Sequence, residues 1–352
     1  MSLLVTARAA VWNDDEQRPR APSRLVLTTL LTLVVGVAGV LPAIGLVGAA
    51  DSVAAPALSA ALGVAGEVVV LLALTAGVGL SAWVVDRRRL ADLGLERSRA
   101  WWADLGFGLA LGAALPALVF GLELATGLVR VIDVVRLLPG AMLPVGPETP
   151  AGVAFALVTV YFVGVAVFEE TLFRGYLLPN VAEGLRWFSV SPHRAVLGAA
   201  AATSLLFGLG HATNPGSTPL SSVFIVLYGL FLAAGFVLTD RLAVPLGIHV
   251  TWNLTLSSVF GFPVSGLTTP VTLLAIDQQG HWLVTGGGFG PEGGLVSFVA
   301  LAAGSGALAW WVHRREGDLS LVLDIATPDL RRREPRPSGG SDGRGEPPSA
   351  DE

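Results

Sequence analysis

The sequence has 352 residues, of which 53% are hydrophobic and only 14% are charged, whereas a soluble globular protein carries about 25% charged residues. This composition, with a mean hydropathy of +0.67, excludes a water-soluble domain and a disordered chain and predicts a polytopic membrane protein. The formal net charge of -5 gives no support to nucleic-acid binding, and the absence of cysteine excludes disulfides and cysteine nucleophiles.

A membrane-spanning helix needs roughly 20 mostly apolar residues. Eight stretches approach or meet this length, and they predict an all-α, polytopic membrane helix bundle of about eight transmembrane helices. The stretches are 25–48, 57–85, 103–129, 152–178, 195–211, 219–239, 242–260 and 294–313. The sixth and seventh are nearly continuous, and their separation rests on Asp240, Arg241 and Pro245.

Arginine accounts for all 22 basic residues, and it is distributed unevenly among the connections between these stretches. It is frequent before the first stretch, between the second and third, and after the eighth. It is absent from 212–218 and from 261–293. Since positively charged connections stay on the cytoplasmic side, we predict a multi-pass protein of the plasma membrane with both termini in the cytoplasm.

The predicted organisation follows the apolar stretches and the composition between them. Residues after 316 are rich in proline, glycine, serine, arginine and aspartate, which is typical of disorder. The predicted parts are a cytoplasmic N-terminal segment (1–24), N-terminal transmembrane helices (25–129), a core (152–260), an outer loop (261–293), a last transmembrane helix (294–313) and a disordered cytoplasmic tail (316–352).

The first polar cluster inside a predicted span is Glu169, Glu170 and Arg174. A charge at the centre of a span costs roughly 2.5–3.5 kcal/mol on insertion scales, so these residues are functional candidates. Arg174 can pair with Glu170 on one helix face, whereas Glu169 is rotated by about 100°. One carboxylate can then be held by arginine while the other acts as a general base. Solvated glutamates at a helix end, with a snorkelling arginine, are the alternative.

Two later clusters contribute histidines. His211 ends the fifth stretch one turn after Phe207, and His249 shares a helix face with Asn253. Each cluster alone is explained by a helix-end residue or by hydrogen bonding between helices, although the second could also bind a developing oxyanion. Carboxylates, two imidazoles and a carboxamide on three helices together indicate a hydrolase.

Two further acids, Glu67 and Glu123, lie within predicted spans. We expect both to face the interior of the bundle in hydrogen bonds, because a polar side chain inside a membrane needs a partner.

At these motifs the chain resembles the CAAX-protease and bacteriocin-processing family of intramembrane endopeptidases, also called CPBP or Abi proteins. The family signature is E-E-x-x-x-R, then F-x-x-x-H, then H-x-x-x-N or H-x-x-x-D. The sequence matches all three patterns in order between Glu169 and Asn253. The resemblance implies an all-helical membrane core with a catalytic cavity facing the cytoplasm, and a peptide or membrane-anchored protein substrate in the lipid bilayer.

The resemblance also implies a role for each motif residue. Glu169 and His211 would activate a water molecule. His249 and Asn253 would hold the oxyanion. Glu170 and Arg174 would orient the site. The leading hypothesis is therefore an intramembrane endopeptidase without a cofactor, acting on a CAAX-type or related membrane-associated substrate.

Two other hypotheses remain open. In a metal-dependent protease, Glu169, His211 and His249 could form a three-ligand zinc site with an open position, although no H-E-x-x-H pair is present. In a non-catalytic membrane binding or immunity protein, or an ion-coupled transporter, the buried charges would serve as a relay. The motifs leave the substrate, its prenylation and the oligomeric state undetermined.

Overall fold

A computed structural model describes residue 8 and residues 10–138, 141–327 and 330–331 of the chain. The protein is mostly helical, at 69%, and every one of the eight apolar stretches forms a helix. The helices are α1 (Ala21–Asp51), α2 (Pro56–Val84), α3 (Arg99–Ala125), α4 (Ala151–Glu170), α5 (Leu178–Trp187), α6 (Pro192–Gly210), α7 (Pro219–Val237), α8 (Ala243–Leu254), the short α9 (Trp282–Thr285) and α10 (Ser297–Glu316).

Five helical segments of the described chain are long and apolar enough to cross a membrane. They are Ala21–Asp51, Pro56–Val84, Arg99–Ala125, Ala151–Trp187 and Pro219–Val237. The protein is therefore an integral membrane protein. The helices α6, α8 and α10 do not meet the same requirement of length and hydropathy, so the count of eight spans stays a prediction.

The prediction of an all-α protein is wrong at two short antiparallel sheets. The third helix ends before residue 129, because Gly127 adopts φ +73° and the following β-branched residues favour a strand. This strand, β3 (Val129–Leu137), pairs with β4 (Val271–Gln278) inside the predicted outer loop. A smaller pair, β1 (Trp12–Asn13) and β2 (Arg18–Pro19), precedes α1.

The fourth predicted helix runs past residue 178, because α4 and α5 are joined without a break. The joining segment, Thr171–Leu177, is a π-helix, and a second π-helix, Thr255–Val259, continues α8. π-helical turns are rare and are frequently found at functional sites. Both segments begin within two residues of motif residues, after Glu170 in the first case and after Asn253 in the second.

Helices α3 and α8 approach each other closely through glycine. A Cβ atom added at Gly112 of α3 would lie 2.4 Å from the carbonyl oxygen of Ile248, and one at Gly108 would lie 2.5 Å from that of Val244. On α8, a Cβ at Gly247 would lie 2.7 Å from backbone atoms of α3. This contact fixes the depth and rotation of the helix that carries His249 and Asn253.

Connections predicted on the cytoplasmic side contact one another through buried charges. Arg18 and Arg24 donate hydrogen bonds of 2.7 and 2.6 Å to Glu183 Oε2, and Arg88 donates to the other oxygen. Arg24 and Arg88 also lie near Asp86, at 3.5 and 3.4 Å. The N-terminal segment, the α2–α3 connection and α5 therefore meet at one end of the bundle.

The predicted disordered tail packs on this same end as far as it is described. Ile325 and Ala326 are buried against α5, α6 and α7, and Val322 N–H donates to Val237 O at 2.9 Å. The prediction of disorder from residue 316 is wrong for this part, since its apolar side chains find a buried surface. Residues 332–352 lie outside the described residues.

Candidate active site

The three motifs converge on one cavity inside the bundle, with a volume of about 470 Å³. Glu169, His211, His249 and Asn253 line it, with aromatic side chains from α4, α6, α7 and α8. Glu170 and Arg174 do not line it; they are buried behind its wall, at 0% and 1% exposure. The structure thus brings all six predicted residues to one region.

Glu170 holds two of the motif helices together. Its Oε1 atom accepts hydrogen bonds from Arg174 Nη1 at 2.8 Å and from His249 Nδ1 at 2.7 Å. Arg174 also donates from Nη2 to the carbonyl of Gly229 at 3.1 Å. The ion pair that the spacing predicts is therefore present, and it links α4 to α7 and α8. Because both charges are buried, loss of one partner would leave the other uncompensated.

Glu169 points in a different direction from Glu170, as the rotation of about 100° between adjacent helical residues predicts. Its Oε2 atom lies 3.7 Å from His249 Nε2, which is too far for a direct hydrogen bond. This oxygen is buried and has no hydrogen-bond donor among the described residues. Its lone pairs are therefore available to a group that enters the cavity.

His211 directly follows the last residue of α6, with its ring in the cavity wall. Its Nδ1 atom lies 2.8 Å from Phe207 O. Because a carbonyl oxygen only accepts, Nδ1 carries the hydrogen, and the lone pair is left on Nε2. The ring can thus accept a proton on Nε2.

Phe207, the aromatic residue of the second motif, packs between the other motif side chains. Its ring centroid lies 4.7 Å from that of His211 and 6.3 Å from that of His249. The guanidinium of Arg174 lies 4.5 Å from the same centroid, within the range of a cation–π interaction. This phenylalanine separates the buried ion pair from the cavity and fixes both imidazole rings.

Asn253 lies one turn beyond His249 on α8, and it is 8% exposed. Its backbone carbonyl accepts a 2.6 Å hydrogen bond from Ser257 Oγ in the π-helical segment. Backbone N–H groups of a π-helix bond to other carbonyl oxygens than those of an α-helix. The Ser257 hydroxyl therefore serves as the donor for the Asn253 carbonyl. The side-chain amide, in the cavity wall, can donate to a ligand.

The zinc hypothesis requires a compact ligand set. Among the described residues, no group of three histidine, aspartate or glutamate side chains is arranged so that it could hold a metal ion. The candidate ligands Glu169, His211 and His249 share the cavity wall. The hydrogen bonds of His249 to Glu170 and of His211 to Phe207 occupy only the Nδ1 atom of each ring, as in histidines that bind a metal through Nε2, so the zinc hypothesis stays a prediction.

Sequence reasoning missed Glu292, a third carboxylate in the cavity wall. It lies in the predicted outer loop, in the helical turn Pro291–Gly293, and is 5% exposed. Its Oε1 accepts from Trp252 Nε1 at 2.7 Å, and its Oε2 accepts from Ser265 Oγ at 2.9 Å and from Ser265 N–H. Burial raises the pKa of Glu292, whereas these donors oppose that rise. A single acid in a glycine-rich loop has no periodicity that could have indicated it.

Glu292 also connects the second and third motifs. Trp252, its first donor, directly precedes Asn253. Ser265, its second donor, accepts a 2.9 Å hydrogen bond at its carbonyl from Asn214 Nδ2, and Asn214 belongs to the turn that begins at His211. A chain of hydrogen bonds thus runs from one side of the cavity to the other.

The two other intramembrane acids have different surroundings. Glu123 is buried and accepts from Gln278 Nε2 at 3.4 Å, so its prediction is confirmed. Glu67 is exposed on α2, so the prediction that it faces the bundle interior is wrong. Helix α2 is apolar enough to face lipid on most sides. The spacing of its apolar residues therefore could not show which face packs against the other helices.

Residues 151–255 match the family model described as type II CAAX prenyl endopeptidase, Rce1-like. This range contains all three motifs and ends two residues after Asn253. No curated protein and no solved structure matches the chain. The family match supports a CAAX-type protease embedded in the membrane, with a membrane-anchored peptide or protein as its substrate.

Proposed function

Because residues 151–255 of this chain belong to the Rce1-like family of type II CAAX prenyl endopeptidases, we propose that the protein is a glutamate-dependent intramembrane endopeptidase. One observation carries the proposal: Glu169, His211, His249 and Asn253 from three helices line a single cavity. The substrate is a peptide or membrane-anchored protein whose scissile bond enters this cavity.

Glu169 acts as the general base. Its unpartnered Oε2 accepts a hydrogen bond from a water molecule and takes a proton as the water oxygen bonds to the scissile carbonyl carbon. His211, with its lone pair on Nε2, orients the same water and relays the proton to the departing amine nitrogen, as the carbon–nitrogen bond breaks. No bond between protein and substrate forms in this sequence.

The oxyanion is held from the α8 side of the cavity. Asn253 donates from its side-chain amide, and His249 donates from Nε2 when both ring nitrogens carry hydrogen. Glu170 fixes the His249 ring through Nδ1, so the donor is oriented before the charge develops. Preorganised donors of this kind are typically worth about 10²–10³ in kcat.

A serine mechanism finds less support in the contacts. Ser265 lines the cavity, but its hydroxyl donates to Glu292 and not to a histidine. Nucleophilic serines need an adjacent base that removes the hydroxyl proton. Ser265 therefore serves as a hydrogen-bonding wall residue in the proposed reaction.

Substitution Glu169→Gln tests the proposal. It keeps the size of the side chain but removes the base, so we expect cleavage of a fluorogenic CAAX peptide by the detergent-purified protein to fall about 10²–10⁴-fold. The matched control is Glu67→Gln, which changes an exposed intramembrane glutamate and should leave the rate unchanged. A Glu169→Gln protein that cuts as fast as wild type would refute the proposal.

Chelation separates the proposed mechanism from a metal-dependent one. Because no described set of side chains suits a metal ion, we expect kcat to be unchanged after prolonged dialysis against 1,10-phenanthroline and EDTA. Elemental analysis of the active protein should find far less than one zinc per chain. Loss of cleavage that added zinc restores would favour the metalloprotease over the metal-free mechanism.

A further inference from the structure

A second pocket, with a volume of about 230 Å³, lies between the start of α1 and the end of α5. The wall of this α1–α5 pocket includes Glu16, Arg20, Arg24, Arg186 and Trp187. Among the described residues, none lines both this pocket and the cavity that holds the motif residues. The pocket is therefore separate from the candidate active site.

Arg24 is the buried side chain of the pocket wall, at 2% exposure. A guanidinium carries five N–H groups. Three of them donate to Asn180 Oδ1 at 2.7 Å, to Pro19 O at 3.1 Å and to Glu183 Oε2 at 2.6 Å. The other two have no acceptor among the described residues. Because a buried donor without an acceptor is costly, an oxygen-bearing group in the pocket would stabilise this side chain.

The surroundings of the pocket carry an excess of positive charge. Its wall and the buried cluster around Glu183 together contain five arginines and three carboxylates, which leaves a net charge of +2. The arginines are Arg18, Arg20, Arg24, Arg88 and Arg186, and the acids are Glu16, Asp86 and Glu183. An anion in the pocket would offset this excess.

The pocket also lies where the lipid-facing surface of the bundle begins. Helix α1 starts at Ala21 in the pocket wall, and no side chain caps this end. Val26, about 8 Å further along the helix axis, is 61% exposed, and Leu30 is 56% exposed. Trp187 is 45% exposed beside the pocket, as is typical of aromatic residues at a membrane–water interface. The pocket is therefore at the level of lipid headgroups.

We infer that the α1–α5 pocket binds the phosphate of an anionic phospholipid, whose acyl chains lie along the exposed apolar face of α1. Arg24 and Arg186 donate to the phosphate oxygens, as arginine commonly does. Arg20, whose guanidinium lies 4.6 Å from the centroid of the Trp187 ring, adds positive charge. A phospholipid fits better than a soluble phosphate because apolar surface continues directly from the pocket. This inference does not depend on the proposed function.

Lipid titration of the delipidated protein in a neutral detergent, followed by native mass spectrometry, tests the inference. Each arginine near a lipid headgroup contributes about fivefold in affinity. We therefore expect the first molecule of phosphatidylglycerol to bind at least about tenfold more tightly than phosphatidylcholine, which carries no net charge. Equal affinity for the two lipids would overturn the inference.

Arg186→Gln identifies the pocket as the binding site. The side chain is exposed, so the variant should fold, and its affinity for phosphatidylglycerol should fall about fivefold. The matched control is Arg194→Gln, which changes an exposed arginine at the start of α6 outside the pocket and should keep the wild-type affinity. Equal losses in the two variants would mean that lipid binds through general surface charge and not in the pocket.

Photocrosslinking in phosphatidylcholine vesicles that contain a small fraction of photoactivatable phosphatidylglycerol locates the lipid. We expect crosslinked peptides from the start of α1 and the end of α5, with less product in Arg186→Gln than in Arg194→Gln. An excess of soluble glycerol phosphate should leave these crosslinks unchanged. Their loss under glycerol phosphate would assign the pocket to a soluble phosphate and overturn the lipid inference, as would crosslinks confined to other helices.

Discussion

Glu170 and Glu292 hold the cavity from its two ends. Glu170 accepts from Arg174 and His249 beneath the cavity, and Glu292 accepts from Trp252 and Ser265 above it. Each carboxylate receives donors from segments that are distant in sequence. The proposed water-activating and oxyanion-holding groups lie between these two anchors, so their separation is set by hydrogen bonds rather than by apolar packing alone.

Ser265 shows how tightly the upper anchor is constrained. Its φ of +48° lies in the left-handed region, where a non-glycine residue costs of order 1 kcal/mol or more. Its N–H and hydroxyl donate to Glu292, and its carbonyl accepts from Asn214. Such a conformation persists only where the surrounding contacts stabilise it. Glu292 accepts two of the hydrogen bonds that stabilise it here.

Glu292→Gln should therefore affect catalysis more than folding. The glutamine can accept at only one side-chain atom, so either Trp252 or Ser265 loses its acceptor and the wall shifts. We expect kcat to fall about tenfold or more with KM within about twofold, because small misplacements of reacting groups cost up to about 10²-fold. Steady-state kinetics with the CAAX peptide measures both constants.

The matched control is Glu123→Gln, a buried glutamate that contacts Gln278 outside the cavity. It should leave kcat unchanged. If Glu292 acts by positioning Asn253, Glu292→Gln should cost little in the background of Asn253→Ala, since coupled residues are not additive. Equal losses in both backgrounds would show that Glu292 serves only the fold.

Two of the three motif-bearing helices, α4 and α8, share a feature at the scale of elements: each continues into a π-helix. In the first, the segment Thr171–Leu177 contains Arg174 and Tyr176. Arg174 contacts Glu170 and the wall of the cavity, whereas the Tyr176 hydroxyl donates to Asp86 Oδ1 at 3.0 Å in the charged cluster around Glu183. The π-helix thus supplies both the active site and the charged cluster from adjacent residues.

The glycine contact between α3 and α8 makes a prediction at this scale. Gly112→Ala would bring a methyl group to 2.4 Å from Ile248 O and Thr251 Oγ1, so α8 must move. Overpacking of this kind typically costs about 1–3 kcal/mol, and the displaced His249 and Asn253 should lower kcat about tenfold or more. Thermal unfolding in detergent and peptide cleavage measure the two effects.

Gly106→Ala on the same helix is the matched control. A Cβ atom there meets nothing within 4 Å, so stability and kcat should both be retained. A Gly112→Ala protein as active as the Gly106→Ala protein would mean that α8 does not depend on this close approach.

At the scale of the whole molecule, hydrogen bonds between distant segments stabilise the bundle at both ends of the cavity. At the end of the bundle that carries α5, Glu183 accepts from three arginines that come from the N-terminal segment, from α1 and from the α2–α3 connection. At the other end, Ser297 Oγ donates to Pro291 O at 2.6 Å and fixes the loop that carries Glu292. Tyr228 of α7 contacts both Ser297 and the ring of Trp252. The cavity therefore lies in a rigid frame that includes segments without any motif.

The helices and the motif residues could be predicted because their signals are local. Apolar stretches indicate helices wherever they occur, and the offset between Glu169 and Glu170 follows from the rotation of any α-helix. The strand β4 could not be predicted in the same way, since its partner β3 lies more than a hundred residues earlier. The packing of the segment around Ile325 also depends on a surface formed by three other helices.

The sequence by itself determined that this protein lies in the membrane, that its motifs match those of a protease family, and that Glu170 pairs with Arg174. Each of these follows from composition or from spacing within one helix, where geometry is fixed by the backbone. Only the tertiary structure decided that Glu292 joins the cavity and that connections between helices contribute residues to its wall. Those facts depend on contacts between residues far apart in the chain, for which the order of amino acids carries no local signal.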